Sequence, residues 1–243
     1  MSKVVSLGTK VYKPEILTCP FCNNKLIYKH TVSNKIIQFS SGKKFHIRNL
    51  GYGCEYCNDG KIYSSSTAVK MAFKGYTYST RLIGSILYSK EIGLSRYNIA
   101  SNLLKANIII SDRNVDNIYN HFKNYLNRDY DDVIQIEYNA MINEYGRICI
   151  SIDMVGVSYK IGEGNLARII CVRNYFNNNI IGFYMLDFVD EKTDELEEKR
   201  ILNKYLNNPK IKYVITIRRI FPFYRLIKQM LPNGANLLEF AKF

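Results

Sequence analysis

Cys19-Pro20-Phe21-Cys22 and, further along the chain, Cys54-Glu55-Tyr56-Cys57 form two C-x2-C pairs, and their reading decides the N-terminal part of the fold. A two-residue gap turns both thiolates of a tight knuckle toward one ion. Two such knuckles complete the tetrahedral four-sulfur shell that zinc favours. The spacing predicts a zinc ribbon over residues 1–63, with Cys19, Cys22, Cys54 and Cys57 as ligands of a structural zinc. Asn23, Asn24 and Lys25 follow the first pair as in a rubredoxin-type knuckle, and Gly53 and Gly60 flank the second pair where tight turns need them. The stretch between the pairs is longer than ribbons usually carry, and apolar runs at 25–28 and 35–39 suit a hairpin there. The competing reading is a disulfide framework in a secreted protein. It is disfavoured because the sequence shows no signal peptide and because Cys149 and Cys171 stand alone in apolar strands. His30 and His46 are surplus to the shell and read as ordinary surface or hairpin residues.

Charge extends the reading outward. The formal net charge of the 243 residues is +13. Residues 1–63 hold 10 Lys+Arg against 3 Asp+Glu, residues 64–130 hold 9 against 4, and residues 131–243 hold 15 against 14. Nearly all of the excess therefore sits in the first half, where it suits a polyanion whose phosphates release counterions when neutralised. A Lys-, Ile- and Asn-rich composition from an AT-rich coding sequence explains the residue usage but not this asymmetry. No apolar run is long enough to cross a bilayer, so the expectation is a cytoplasmic, chromosome-associated protein without a membrane partner.

Between 64 and 130 the apolar residues recur at helical spacing. Leu82, Ile83, Ile86 and Leu87 mark a helix over 79–90 that Gly93 ends; Ser95 caps a second with Ile99, Ala100, Leu103 and Leu104. Ser111 caps a third over 111–127, whose Val115, Ile118, Tyr119, Phe122, Tyr125 and Leu126 form one apolar stripe. Three short helices in this order predict a helix-turn-helix domain with the third as recognition helix. Its other face offers Arg113, Asn114, Asn117, Asn120, His121 and Lys123, which can reach base edges or phosphates of double-stranded DNA.

Beyond 131 the period changes. Strands are expected at 147–154, ending near Asp153, at 167–173 and at 180–186, with Asp187 at the end of the third. A helix over 190–206, a strand over 213–217, a helix over 222–230 and a short strand over 236–240 follow. In such an order the first three strands meander antiparallel and the later ones run parallel through helical crossovers, which is the topology of the RNase H-like fold. The fold class is thus multidomain α+β: a zinc ribbon over 1–63, a helix-turn-helix domain over 64–130 and an incomplete RNase H-like α/β domain over 131–243.

With these elements in place, the chain resembles DDE-type insertion-sequence transposases. The resemblance rests on the ribbon, on LSRYNIASNLLKANIIISDRNVDNIYNHFKNYL (94–126), on ICISIDM (148–154) and on YVITIRRIFPFYRLIKQMLPNGANLLEF (213–240). It implies that Asp153 stands where the family binds catalytic metal. The second acidic position reads Thr216-Ile217-Arg218-Arg219, and the third would lie on a later helix that these residues do not supply. Two-metal phosphoryl transfer needs carboxylates on both ions, so one aspartate is not enough. Asp187 is a weak substitute, two strand spacings from the first strand or roughly 9–10 Å. Glu163 lies in a glycine-flanked loop, and Arg218 and Arg219 favour a phosphate over a divalent cation.

The expectation is a transposase-derived DNA-binding protein, a regulator or nucleoid-associated factor, in which Asp153 is vestigial; a homodimer is compatible with it. The alternatives are a truncated or divergent transposase or nuclease, which alone would need Mg2+, and a zinc-ribbon docking factor of a transcription or replication complex.

Overall fold

The structure is a computed structural model that describes residues 8–57, 60–158, 166–216, 223–231 and 235–239. The chain divides into two compact units: residues 1–83 with 104–108, and residues 84–103 with 109–243.

The first unit is built on three strands, β1 (Gly8–Tyr12), β2 (Ile27–Gln38) and β3 (Lys44–Gly53), in the order β1-β3-β2. β1 runs parallel to β3, and β2 antiparallel to it. The apolar runs at 25–28 and 35–39 are therefore not the two arms of one hairpin. They fall largely within the single long strand β2, and the turn comes later, where Gly42 adopts φ +77° and its N–H donates to the Phe39 carbonyl. Helix α1 (Ser66–Lys70) closes the unit over a core of Tyr12, Ile37, Ile47, Ala68 and Ala72, with Phe39, Phe45 and Met71 packed against it. So short a helix needs outside help at its N-terminus. Glu15 supplies it: its carboxylate accepts from the Ser65 hydroxyl at 2.7 Å and from the N–H groups of Ser66 and Thr67 at 3.0 and 2.9 Å.

The second unit begins within α2 (Thr80–Glu91) and continues through α3 (Arg96–Lys105, of which 104 and 105 belong to the first unit), α4 (Asp112–Phe122) and α5 (Asp131–Tyr145). Ser111 caps α4 as its sequence predicts, accepting from the Asn114 N–H at 3.2 Å. The helix stops at Phe122 rather than 127. Asn127 turns out of helical geometry at φ +53°, donates its N–H to the Phe183 carbonyl at 2.9 Å and accepts from the Met185 N–H through its side chain. Tertiary pairing thus overrides the apolar periodicity. Helix α5 has no counterpart in the sequence reading, although its signals are present. Ile134, Tyr138 and Met141 are buried at helical spacing, two aspartates occupy the first turn, and Gly146 at φ +65° ends it.

The sheet contains β4 (Ile148–Val157), β5 (Ala167–Asn174), β6 (Ile180–Asp187), β7 (Ile211–Thr216) and β8 (Asn236–Glu239) in the order β6-β5-β4-β7-β8. The first three meander antiparallel, and β7 and β8 run parallel to β4 and to each other. Helices α6 (Glu191–Leu206) and α7 (Phe223–Met230) form the two crossovers. Tyr205 of α6 seals one face of the sheet: its hydroxyl bonds to the Ile181 carbonyl at 2.8 Å and the Tyr184 hydroxyl at 2.6 Å, and a Cβ at Gly182 would collide with it.

One buried ion cluster ties α6 to the sheet. Arg168 on β5 pairs with Asp194 at 3.1 Å and with Glu198, and its guanidinium lies 4.2 Å from the Phe188 ring centre. Burial pushes the Glu198 carboxyl above its ordinary value despite the arginine. Removing the cation leaves two buried carboxylates uncompensated, so Arg168→Met should cost about 3–5 kcal/mol in urea unfolding at neutral pH. A group raised in the folded state favours folding on the acid side and loses that contribution as pH rises through the raised value. The penalty should therefore shrink on acidification, and a pH-independent penalty would assign it to lost packing instead.

Candidate functional site

The four cysteines predicted as ligands converge. All four sulfurs lie within 4.8 Å of one another, with Cys19 Sγ to Cys57 Sγ at 3.6 Å and Cys22 Sγ to Cys54 Sγ at 3.5 Å. A tetrahedron with Zn–S bonds of about 2.3 Å has sulfur-to-sulfur edges of about 3.8 Å, so the cluster is already near the required size. The separations also exclude disulfides, whose bond is about 2.0 Å. All six cysteines are free thiols.

Local backbone geometry builds each knuckle. At the first, Asn23 takes φ +58°, its N–H donates to the Cys19 carbonyl at 2.9 Å, and the Cys19 N–H donates to the Asn24 carbonyl at 2.7 Å. A bridge between Thr18 and Lys25 clamps the base of this turn. At the second, the Cys57 N–H donates to Cys54 Sγ at 3.5 Å, and Tyr52 and Tyr63 pair their backbones on either side. Cys19 and Cys54 are buried, Cys57 is half-buried and Cys22 is exposed.

The electrostatics are those of a site short of positive charge. The Asn24 N–H, helped by its side-chain amide at 3.3 Å, holds the Cys22 thiol down at about 6. Cys57 moves the other way, raised by its hydrogen bonds to Cys22 and Cys19. Four clustered sulfurs cannot all ionise beside one another unless a cation joins them, and thiolate softness and tetrahedral size suit zinc. His30 and His46 lie outside the cluster.

Most of the residues predicted to face DNA share one side of α4. Arg113, Asn117, Asn120, His121 and Lys123 are exposed and Asn114 is half-exposed, while Val115, Ile118 and Phe122 are buried opposite. The acidic residues of the same helix are neutralised. Asp116 accepts from Lys90 Nζ at 2.9 Å and Arg96 at 3.1 Å, contacts that lower its carboxyl below the ordinary range, and Asp112 pairs with Arg96 at 3.3 Å. Lys90 and Arg96 have no local sequence signature for this role; only the packing of α2 and α3 reveals it.

The predicted acidic residues do not converge. Asp153 is not at a strand end: β4 continues to Val157, and Asp153 is buried in mid-strand opposite Cys171. Asp187 is exposed at the end of β6, level with Ala167 and, across β5, with Val157. It is thus two strands over and four residues along from Asp153, a Cα separation of about 16 Å from standard strand spacings. The purely lateral 9–10 Å omits the axial offset. Glu163, Arg218 and Arg219 lie outside the described residues. Among the described residues the cysteine cluster is the one group of three or more His, Cys, Asp or Glu able to hold a metal.

Purified protein should carry close to one zinc per chain by elemental analysis. Cys22→Ser or Cys54→Ser should release it and expose the first unit to proteolysis, because binding energy of a structural ion is largely folding energy. Protons compete for the same sulfurs, so metal should also be lost as pH falls. Full protease resistance of the metal-free protein would refute a structural role.

No protein-family model matches this chain, and no curated protein matches it in sequence.

Proposed function

We propose that the chain is a DNA-binding protein, derived from a transposase-like ancestor, that grips duplex DNA without cutting it. The observation that carries this reading is α4: an exposed ridge of Arg113, Asn117 and Asn120 on a helix whose own aspartates are neutralised by Lys90 and Arg96. Arginine and asparagine are the side chains that make paired hydrogen bonds to guanine and adenine edges in a major groove. The three helices α2 to α4 serve as a helix-turn-helix module with α4 as the reading helix. The cysteine knuckles serve as a zinc ribbon, and the basic excess of the first half supplies the phosphate attraction.

The sheet order β6-β5-β4-β7-β8, with its antiparallel meander and parallel crossovers, supports an RNase H-like scaffold. Catalysis on that scaffold would need a second carboxylate beside Asp153. Asp187 is too remote to share an ion with it, so the reading is a binder in which Asp153 is a buried structural residue. A regulatory or nucleoid-associated role follows. No described helix is long and apolar enough to cross a membrane.

The test needs the whole chain, because α4 ends against β6, where the Phe122 and Phe183 ring centres lie 5.9 Å apart. Full-length protein should bind duplex DNA with affinity that falls steeply with salt. Arg113→Ala, Asn117→Ala and Asn120→Ala should each remove about 1–3 kcal/mol of preference for the best site while sparing non-specific binding. Equal loss on every sequence would demote α4 to a backbone contact. Neither Mg2+ nor Mn2+ should support strand cleavage, and Asp153→Asn should leave affinity unchanged; metal-dependent cleavage abolished by that substitution would establish an enzyme instead.

A further inference from the structure

The three-stranded sheet of the first unit has one covered face and one open face. Strand pairing sorts its side chains, because residues directly opposite each other point to the same side and neighbours along a strand alternate. Ile47 on the central strand β3 points into the core with Ile37 and Tyr12. The alternate residues of β3 therefore point outward: His46 stands between Thr9 of β1 and Ile36 of β2, and Arg48 stands between Val11 and Asn34. Further along, Tyr52 faces Tyr28, with their ring centres 6.0 Å apart in an edge-to-face contact. None of these residues is buried.

Two properties of the open face specify what it would meet. The first is charge. The three strands contain no aspartate or glutamate, so no carboxylate on the sheet neutralises Arg48 or Lys44, the exposed outward residue at the head of β3. The second is apolar exposure. Val11, Ile36 and Tyr28 are 53, 44 and 51% exposed, and the register sets Val11 directly beside Arg48. A solvated sheet face ordinarily carries polar residues, so apolar side chains interleaved with cations call for a use outside the fold. From His46 to Tyr52 the face runs roughly 20 Å at the standard rise per residue. That length suits the two or three bases that a sheet-face reader holds.

We propose that this open face binds an unpaired nucleic-acid strand, with a base stacked on Tyr28, further bases against Ile36 and Val11, and phosphates paired with Arg48 and Lys44. A single strand presents phosphates and free base faces together. A duplex keeps its bases stacked on one another and would set phosphates against Val11, Ile36 and Tyr28. An acidic peptide would answer the cations but leave the apolar side chains uncovered, and extended peptides dock on sheet edges. The face belongs to the first unit and α4 to the second, so either binding mode can fail while the other remains measurable.

The chain contains no tryptophan, so Tyr28→Trp supplies a single fluorophore on the face and keeps an aromatic ring there. Titrating the full-length, zinc-loaded variant with oligo-dT and with oligo-U should quench its emission, and a duplex of equal length or polyglutamate should do so much more weakly. The dT and U arms distinguish DNA from RNA as the better ligand. Tyr28→Ala in the otherwise unchanged protein should weaken single-strand binding by roughly 10-fold and leave duplex affinity within about 2-fold. Arg48→Ala alters an exposed side chain outside the core, so it keeps the test open should Tyr28→Ala unsettle the sheet. It should lower the slope of log affinity against log salt on the single strand by about 0.7. Absence of quenching by both single strands, equal quenching by polyglutamate, or an unchanged salt slope in Arg48→Ala would overturn the proposal. Equal losses on single strand and duplex in Tyr28→Ala would do the same.

Discussion

Four sulfurs crowded within 4.8 Å impose a shortage of positive charge that the first unit has to resolve. One apolar cluster of the unit gathers Tyr12, Ile37, Ile47, Ala68 and Ala72, and the four cysteines are not members of it. A unit of this size gains little surplus over chain entropy from apolar burial alone. A tetrahedral dication held by the four sulfurs would remove the repulsion among thiolates, fix both turns and convert binding energy into folding energy in one step. The αL turn at Asn23 and the Tyr52–Tyr63 backbone pair help bring the sulfurs to that separation.

The second unit solves a different problem, that of presenting a polar helix without losing it to solvent. Its buried side, Val115, Ile118 and Phe122, anchors α4, and Phe122 reaches Phe183 on β6. The sheet itself is locked by Tyr205 over Gly182 and by the Arg168 cluster. Rigidity of this kind would serve the reading role proposed for α4, because a hydrogen bond to a base edge is worth its energy only if the donor is already in place. Charge follows the same pattern: Lys90 and Arg96 occupy the aspartates of α4, while Arg113 stays exposed on its outward ridge.

Much of this was readable in the sequence. The cysteine spacing picks out the four residues that converge because knuckle geometry is local, and the strands and helices after 147 are readable because β-branched runs alternate cleanly with a helical period. Other features were not. The hairpin is hidden because β2 is long enough for its two apolar runs to look like separate strands, while the turn itself lies at Ser41-Gly42. The end of α4 depended on Asn127 being captured by β6, a contact 56 residues away in sequence that no window contains. The relation of Asp153 to Asp187 required the register of two strand pairings, since lateral spacing alone hides an offset of four residues.

The most direct measurement places a photoreactive benzoylphenylalanine in turn at Asn120, on the outward ridge of α4, and at Ile136, also exposed but on α5. With the full-length, zinc-loaded protein on duplex DNA, irradiation should join DNA to the chain from position 120 and not from position 136. Cross-links from both positions alike, or from 136 alone, would contradict α4 as the helix that meets DNA.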